Sequence, residues 1–129
     1  MELTKETARK ILKAYENAWV EQDTNKILSI FTKDGLYHER VLKEPMKGHK
    51  EIAKYWKNKV CKEQSNIKFK LLNFYISGSN IIAEWDASFN NNTQHVVVHI
   101  QEVAIMEIKD NKIKSLREYW QSEESPIKK

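Results

Sequence analysis

The stretch QHVVVHIQEVAIMEIKDNKIKSLREYW, residues 94–120, decides the fold. Asp110-Asn111 splits it into two runs rich in β-branched residues, and such a pair between such runs is a hairpin signal because both residues tolerate positive φ. The strand from 94 to 109 is amphipathic on neither face. One parity carries His95, Val97, His99, Gln101, Val103 and Ile105; the other carries Val96, Val98, Ile100, Glu102, Ala104 and Met106. Either both faces are covered, one by helices and one by a second subunit, or a bulge switches faces midway.

Further towards the N-terminus, residues 67–77 and 80–90 read as two more strands, bounded by turn signals at Ser77-Gly78-Ser79-Asn80 and Asn90-Asn91-Asn92. Strands this long must twist and curl, which leaves a concave face for other elements to cover. Helical patterns supply the cover. Leu3, Thr7, Ile11, Tyr15, Ala18 and Trp19 recur at threes and fours, predicting a helix from Leu3 to about Gln22 with a cap near Thr4. Asp23-Thr24-Asn25 interrupts it, and Ile27, Leu28, Ile30 and Phe31 predict a second helix ended by Asp34-Gly35. Gly35 to Leu42 reads as a strand, and Ile52, Tyr55, Trp56 and Val60 mark a third helix from about His49 to Lys62. Helices first and an antiparallel meander afterwards predict an α+β fold with three N-terminal helices packed on a strongly curved, mostly antiparallel sheet. Residues 1–121 are expected to form the single domain, and 122–129 a loose C-terminal tail.

A chain of 129 residues can bury roughly two-thirds of its unfolded surface in one core, and 40% hydrophobic with 31% charged residues excludes disorder. No run approaches the roughly 18 apolar residues of a membrane span, so no membrane partner is expected. The net charge of +4 raises the question of nucleic acid, but lysines and acids are interleaved along the chain, and no nucleic-acid partner is expected. The N-terminal residues lack a secretory pattern, and the lone Cys61 cannot close an internal disulfide; a cytoplasmic protein is the expectation.

The order of elements resembles the nuclear transport factor 2-like superfamily, which includes ketosteroid isomerases and SnoaL-like polyketide cyclases. The carriers are Tyr15, Asp23, Phe31-Thr32-Lys33-Asp34-Gly35, the run Gly48 to Trp56, and Ile108 to Ile113 continued through Arg117-Glu118-Tyr119-Trp120. The resemblance spans nearly the whole chain. It implies a conical, cystatin-like fold with a ligand pocket at the wide end of the sheet, and commonly a homodimer, here through the outer sheet face. It does not imply one chemistry.

Likeness to the ketosteroid isomerases implies a carboxylate base on the first strand and two oxyanion donors, one a helix tyrosine and one a protonated aspartate on the penultimate strand. Tyr15 and Glu39 fall at the first two places; at the third stands Gln101, with Glu102 beside it, a departure from the family pattern. A base must reach a carbon-bound proton, and donors must hold the charge that develops on the carbonyl oxygen. The family register points His99 and Gln101 into the pocket; the opposite register points Glu102 there. If Glu39 faces inward, so do Tyr37 and Val41. On the last strand Leu116, Glu118 and Trp120 share the face the family reading turns inward.

Trp19, Trp56, Trp85 and Trp120, with Phe31, Tyr37 and Tyr55, predict aromatic walls suited to a small apolar or aromatic molecule. His95 and His99 would lie about 13 Å apart on a strand, too far to share an ion, so neither metal nor cofactor is expected. Two functions remain open: a cofactor-independent isomerase, cyclase or dehydratase using Glu39 as base, and a non-catalytic binder of a small molecule or protein.

Overall fold

Thr4 opens the first helix. In the computed structural model, which describes residues 3–127, its hydroxyl accepts from the Thr7 amide at 3.1 Å, and α1 runs Lys5–Val20. Asp23 caps α2 (Thr24–Ser29) in the same way, accepting from the Lys26 amide at 3.2 Å. Next come β1 (Phe31–His38), the two-residue β2 (Met46–Lys47), α3 (Gly48–Tyr55) and a π-helical turn over Trp56–Cys61. Four long strands follow: β3 (Gln64–Ser77), β4 (Asn80–Asn91), β5 (Val96–Lys109) and β6 (Lys112–Pro126).

The six strands form one sheet in the order β2-β1-β6-β5-β4-β3, parallel only between β1 and β6. Two hairpins are made by turn chemistry in the sequence. Gly78 takes φ +61° between β3 and β4, and Asp110 and Asn111 take +53° and +61° between β5 and β6, the two positive angles that a type I′ turn requires. Register shifts between Leu71 and Asn73, Glu107 and Ile108, and Phe31 and Leu36 bend the sheet into a cup. Gly35 lies in the last of these shifts. A Cβ there would stand 3.0 Å from the Phe31 ring and 3.2 Å from the Ile113 carbonyl, so the bulge demands glycine by close approach.

α1 buries Ala8, Ile11, Leu12, Tyr15, Ala18 and Trp19, the face its periodicity predicts. Truncating the fully buried Leu12 to alanine would cost about 2–5 kcal/mol. On the sheet side the inward positions of β4 and β5 include Ala83, Ala87 and Ala104. Their small side chains leave room for the large rings. Tyr15 thus stands 5.2 Å from Trp85 and 6.4 Å from Trp56, centroid to centroid.

Four expectations are corrected. Phe31 opens β1 and is not the end of α2, because it stands opposite Ile113 in the β1–β6 ladder, where the Ile113 amide donates to the Ile30 carbonyl at 2.7 Å. β1 stops at His38, so Glu39 to Leu42 are a bend and turn and not strand. The third helix ends as α-helix at Tyr55; the π turn beyond it is held by Gln22, whose side-chain amide donates to the carbonyls of Val60 (2.8 Å) and Gln64 (2.6 Å). Ser122–Pro126 are strand and not a loose tail, since they pair with Val96–Ile100. Lys128 and Lys129 lie outside the described residues.

Candidate active site

Alternation along β5 and β6 creates the site. Val98, Ile100, Glu102, Ala104 and Met106 point into the cup, and Leu116 and Glu118 join them from β6. Gln101 and His99 therefore face outward. Both are displaced from the predicted pocket by register: Gln101 is paired on the outer face with Asp86, and His99 with Asp86 and Glu123. Helices cover one face only, so the parity holding five apolar residues and a single acid goes under them.

The cup holds a cavity of about 440 Å³, within the range of small-molecule pockets. Its floor and walls include Tyr15, Trp19, Tyr37, Trp56, Glu102 and Glu118. Tyr55, Glu39 and Trp120 stand nearer the mouth, with Arg40, Lys59 and Glu63. Tyr15, Trp19, Tyr37, Glu39, Tyr55 and Trp56, with Glu118 and Trp120, thus border one space. Phe31, Trp85 and Leu116 do not line it; fully buried, they form the packed layer beneath. Phe89, Val98, Ile100 and Gln64 are wall residues that the sequence reading missed, the first three being ordinary apolar strand positions.

Glu102 and Glu118 are only 4% and 6% exposed. Glu118 stands opposite Ala104 and Glu102 opposite Trp120, so the two acids are diagonal neighbours on adjacent strands, within reach of each other through their long side chains. Burial pushes the Glu102 carboxyl well above the usual carboxylate range, and the charge and hydrogen bond of Glu118 push it further. Burial also raises Glu118, but the hydrogen bond from Glu102 and the nearby Tyr37 hydroxyl offset part of this. Both carboxyls are thus pushed towards their protonated forms, and the pair shares a proton across the two strands. The Trp56 indole N–H is buried without a hydrogen-bond partner among the described residues.

The tyrosines remain donors. Tyr15 and Tyr37 hydroxyls lie 3.2 Å apart, and burial, reinforced by the Glu118 charge, raises both well above their ordinary range. Tyr55 is raised likewise, first by burial and then by the charge of Glu39. Glu39 itself is one-fifth exposed, its carboxylate 3.2 Å from Arg40 Nε, while its carbonyl accepts from the Trp120 indole at 3.2 Å. Carboxyls and neutral hydroxyls thus border one space walled by aromatic rings and polar side chains. Such a site can take a proton from a polarised C–H bond and hold the oxyanion that results.

The SnoaL-like domain model matches residues 12–116, and the chain belongs to that family. Among solved structures the chain is similar to the epoxide hydrolase/cyclase-like enzyme of pyran-ring formation in salinomycin, at 21% identity and TM-score 0.78, over 92% of this chain and 95% of that one. It is similar to an epoxide hydrolase of Mycobacterium tuberculosis (16%, 0.75, over 89% and 83%) and to a nuclear transport factor 2-like protein of Burkholderia pseudomallei (13%, 0.76, over 92% of each). These likenesses establish the conical fold. No curated protein matches the sequence significantly. No helix among the described residues is long and apolar enough to cross a membrane.

Proposed function

We propose that this SnoaL-like protein is a cofactor-independent isomerase or cyclase acting on a small, largely apolar carbonyl compound. Glu39 removes a carbon-bound proton, and the C–H electron pair passes into the enolate. The proton that Glu102 shares with Glu118 turns to the enolate oxygen, joined by the one hydroxyl of the Tyr15–Tyr37 pair whose proton is not given to the other. Glu39 then returns the proton to a neighbouring carbon, or the enolate carbon attacks a second carbonyl of the same molecule, whose C=O π bond breaks to an alkoxide that takes the proton from Glu39. Glu102 here takes the donor role that the family resemblance placed at Gln101.

One observation carries the reading: a buried inward acid, Glu102, borders the same cavity as Glu39 and Tyr15, and burial favours its protonated form. A carboxylic acid is a stronger partner for a developing oxyanion than an amide, because its hydrogen bond shortens and strengthens as the acceptor charges. The outer sheet face, with Val103 36% and Tyr119 46% exposed, is our proposed seat for a second copy, which light scattering tests.

The function is tested by deuterium exchange into a panel of enolisable cyclic ketones, followed by mass spectrometry. Exchange above buffer is expected, lost by at least about 100-fold in Glu39→Gln. Ligands that quench the pocket tryptophans yet exchange no proton would replace this reading with a non-catalytic binder.

A further inference from the structure

The proposed base stands outside the sheet. β1 ends at His38, and Glu39 follows it on a bend. The turn beyond is closed by bonds that fall on its neighbours: the Lys43 amide donates to the Arg40 carbonyl at 2.9 Å, and His38 Nε2 donates to the Lys43 carbonyl. Glu102, the proposed oxyanion donor, sits instead in the middle of the sheet, laddered to Trp85 on one side and Trp120 on the other. Misplacing a reacting group by about 1 Å costs on the order of 10²-fold in rate, so the bend has to be tied to the strands that carry Glu102.

Trp120 makes that tie. Its backbone is opposite Glu102 in the β5–β6 ladder, which fixes it beside the donor. Its side chain borders the cavity mouth, where the indole N–H donates to the Glu39 carbonyl at 3.2 Å and the ring lies 5.5 Å from the Arg40 guanidinium carbon. Arg40 Nε in turn donates to the Glu39 carboxylate at 3.2 Å. One indole thus holds the base twice, at its backbone directly and at its carboxylate through Arg40. Each contact is partly exposed and weak by itself, but together they close a ring that restrains both the bend and the side chain.

We infer that Trp120 is the positioning residue of the base: its indole N–H fixes the Glu39 carbonyl, its ring face seats the Arg40 guanidinium, and the rung it shares with Glu102 sets base and donor in one frame. The inference rests on the proton-transfer reading of the same site and adds to it the group that places the base. A site whose reacting groups come from an irregular segment and a strand needs such a support from a rigid element, and β6 is that element.

Trp120→Phe keeps an aromatic wall at the mouth and removes the N–H. Deuterium exchange into the ketone that the wild-type protein labels fastest, followed over a range of ketone concentrations, should show kcat lowered about tenfold with KM within about twofold. Arg40→Gln should lower kcat in the same way, and Arg40→Lys, which keeps a cation over the ring, should recover most of the loss. The double variant Trp120→Phe/Arg40→Gln should lose clearly less than the product of the two, because both act through Glu39. A residue that only walls the pocket would raise KM and leave kcat unchanged; that result overturns the inference, as do losses that multiply. A second readout needs no substrate. Hydrogen exchange of the Trp120 indole, followed by NMR after sequential assignment, should be slower than that of a free indole, and exchange as fast as the free indole overturns the inference whatever the kinetics. Should Trp120→Phe fail to fold, the Arg40 variants and the wild-type indole still decide. The two readings fail differently: full kcat in Trp120→Phe with none in Glu39→Gln removes only the positioning role, whereas a wild-type protein that labels no ketone removes the base and the positioning role with it.

Discussion

β4, β5 and β6 carry two acid clusters back to back, separated by the thickness of one sheet. Inside, Glu102 and Glu118 are buried, and both are raised, first by desolvation. Outside, Asp86 Oδ2 lies 2.7 Å from His99 Nε2 and 3.0 Å from Gln101 Nε2, while His99 Nδ1 lies 3.0 Å from Glu123. There the shifts reverse. The hydrogen bonds of Gln101 and His99 lower Asp86, and those of Glu123 and Asp86 raise His99. Gln101 and Glu102 are adjacent in sequence, yet one side chain is exposed on the outer face and the other is buried at the cavity wall. What an acid does here follows from which way its strand position points, and only secondarily from its partners.

The contrast breaks most visibly in activity. Glu39→Gln and Glu102→Ala should each lower proton exchange by about 10²–10³, whereas Gln101→Ala should leave the rate within about twofold, as initial rates on circular-dichroism-checked protein will show. Loss at Gln101 equal to that at Glu102 would abolish the distinction between the faces.

Stability gives the next largest effect. The inner pair has folded-state pKa values above the unfolded carboxyl value near 4.5, so the native state binds the extra protons. Its stability contribution is full below that value and is lost as pH rises through the raised pKa values. Urea titration of the double variant Glu102→Gln/Glu118→Gln should therefore give an unfolding free energy about 1–3 kcal/mol above wild type at pH 8, converging with it towards pH 4. Tyr15→Phe removes one partner of the 3.2 Å hydroxyl pair inside the core and should cost about 1 kcal/mol in the same titration.

The outer cluster should give the smallest change. His99 is raised from 6.5, so its contribution is present below that pH and fades as pH rises through its folded value; Asp86 is lowered, so its share is lost on acidification. Solvent screens both. Thermal melts of His99→Gln should differ from wild type slightly at pH 6 and not at pH 9, with the difference shrinking in high salt.

Much of the cone was legible along the chain. Helical spacing from Leu3 to Trp19 named the buried face of α1, and Gly78 and Asp110-Asn111 named two hairpins, because these signals act within a few residues. Phe31 misled for the same reason: it continues a local spacing of three and four, but its ladder partner Ile113 is more than eighty residues away. Ser122–Pro126 is polar and carries no strand pattern of its own; pairing with Val96–Ile100 supplies the hydrogen bonds that its side chains do not announce. In the site, Tyr15, Glu39 and the tryptophans could be nominated by residue type and position. The choice between Gln101 and Glu102 could not, since both parities of β5 are apolar.

Composition, spacing and turn residues by themselves determined an α+β chain with helices ahead of a long antiparallel meander, because propensity and periodicity are properties of neighbours in sequence. Only the tertiary structure decided which acids lose their water. Desolvation depends on what packs above a side chain, and for Glu102 and Glu118 that cover is built by α1 and the π turn, which are distant in sequence and close in space.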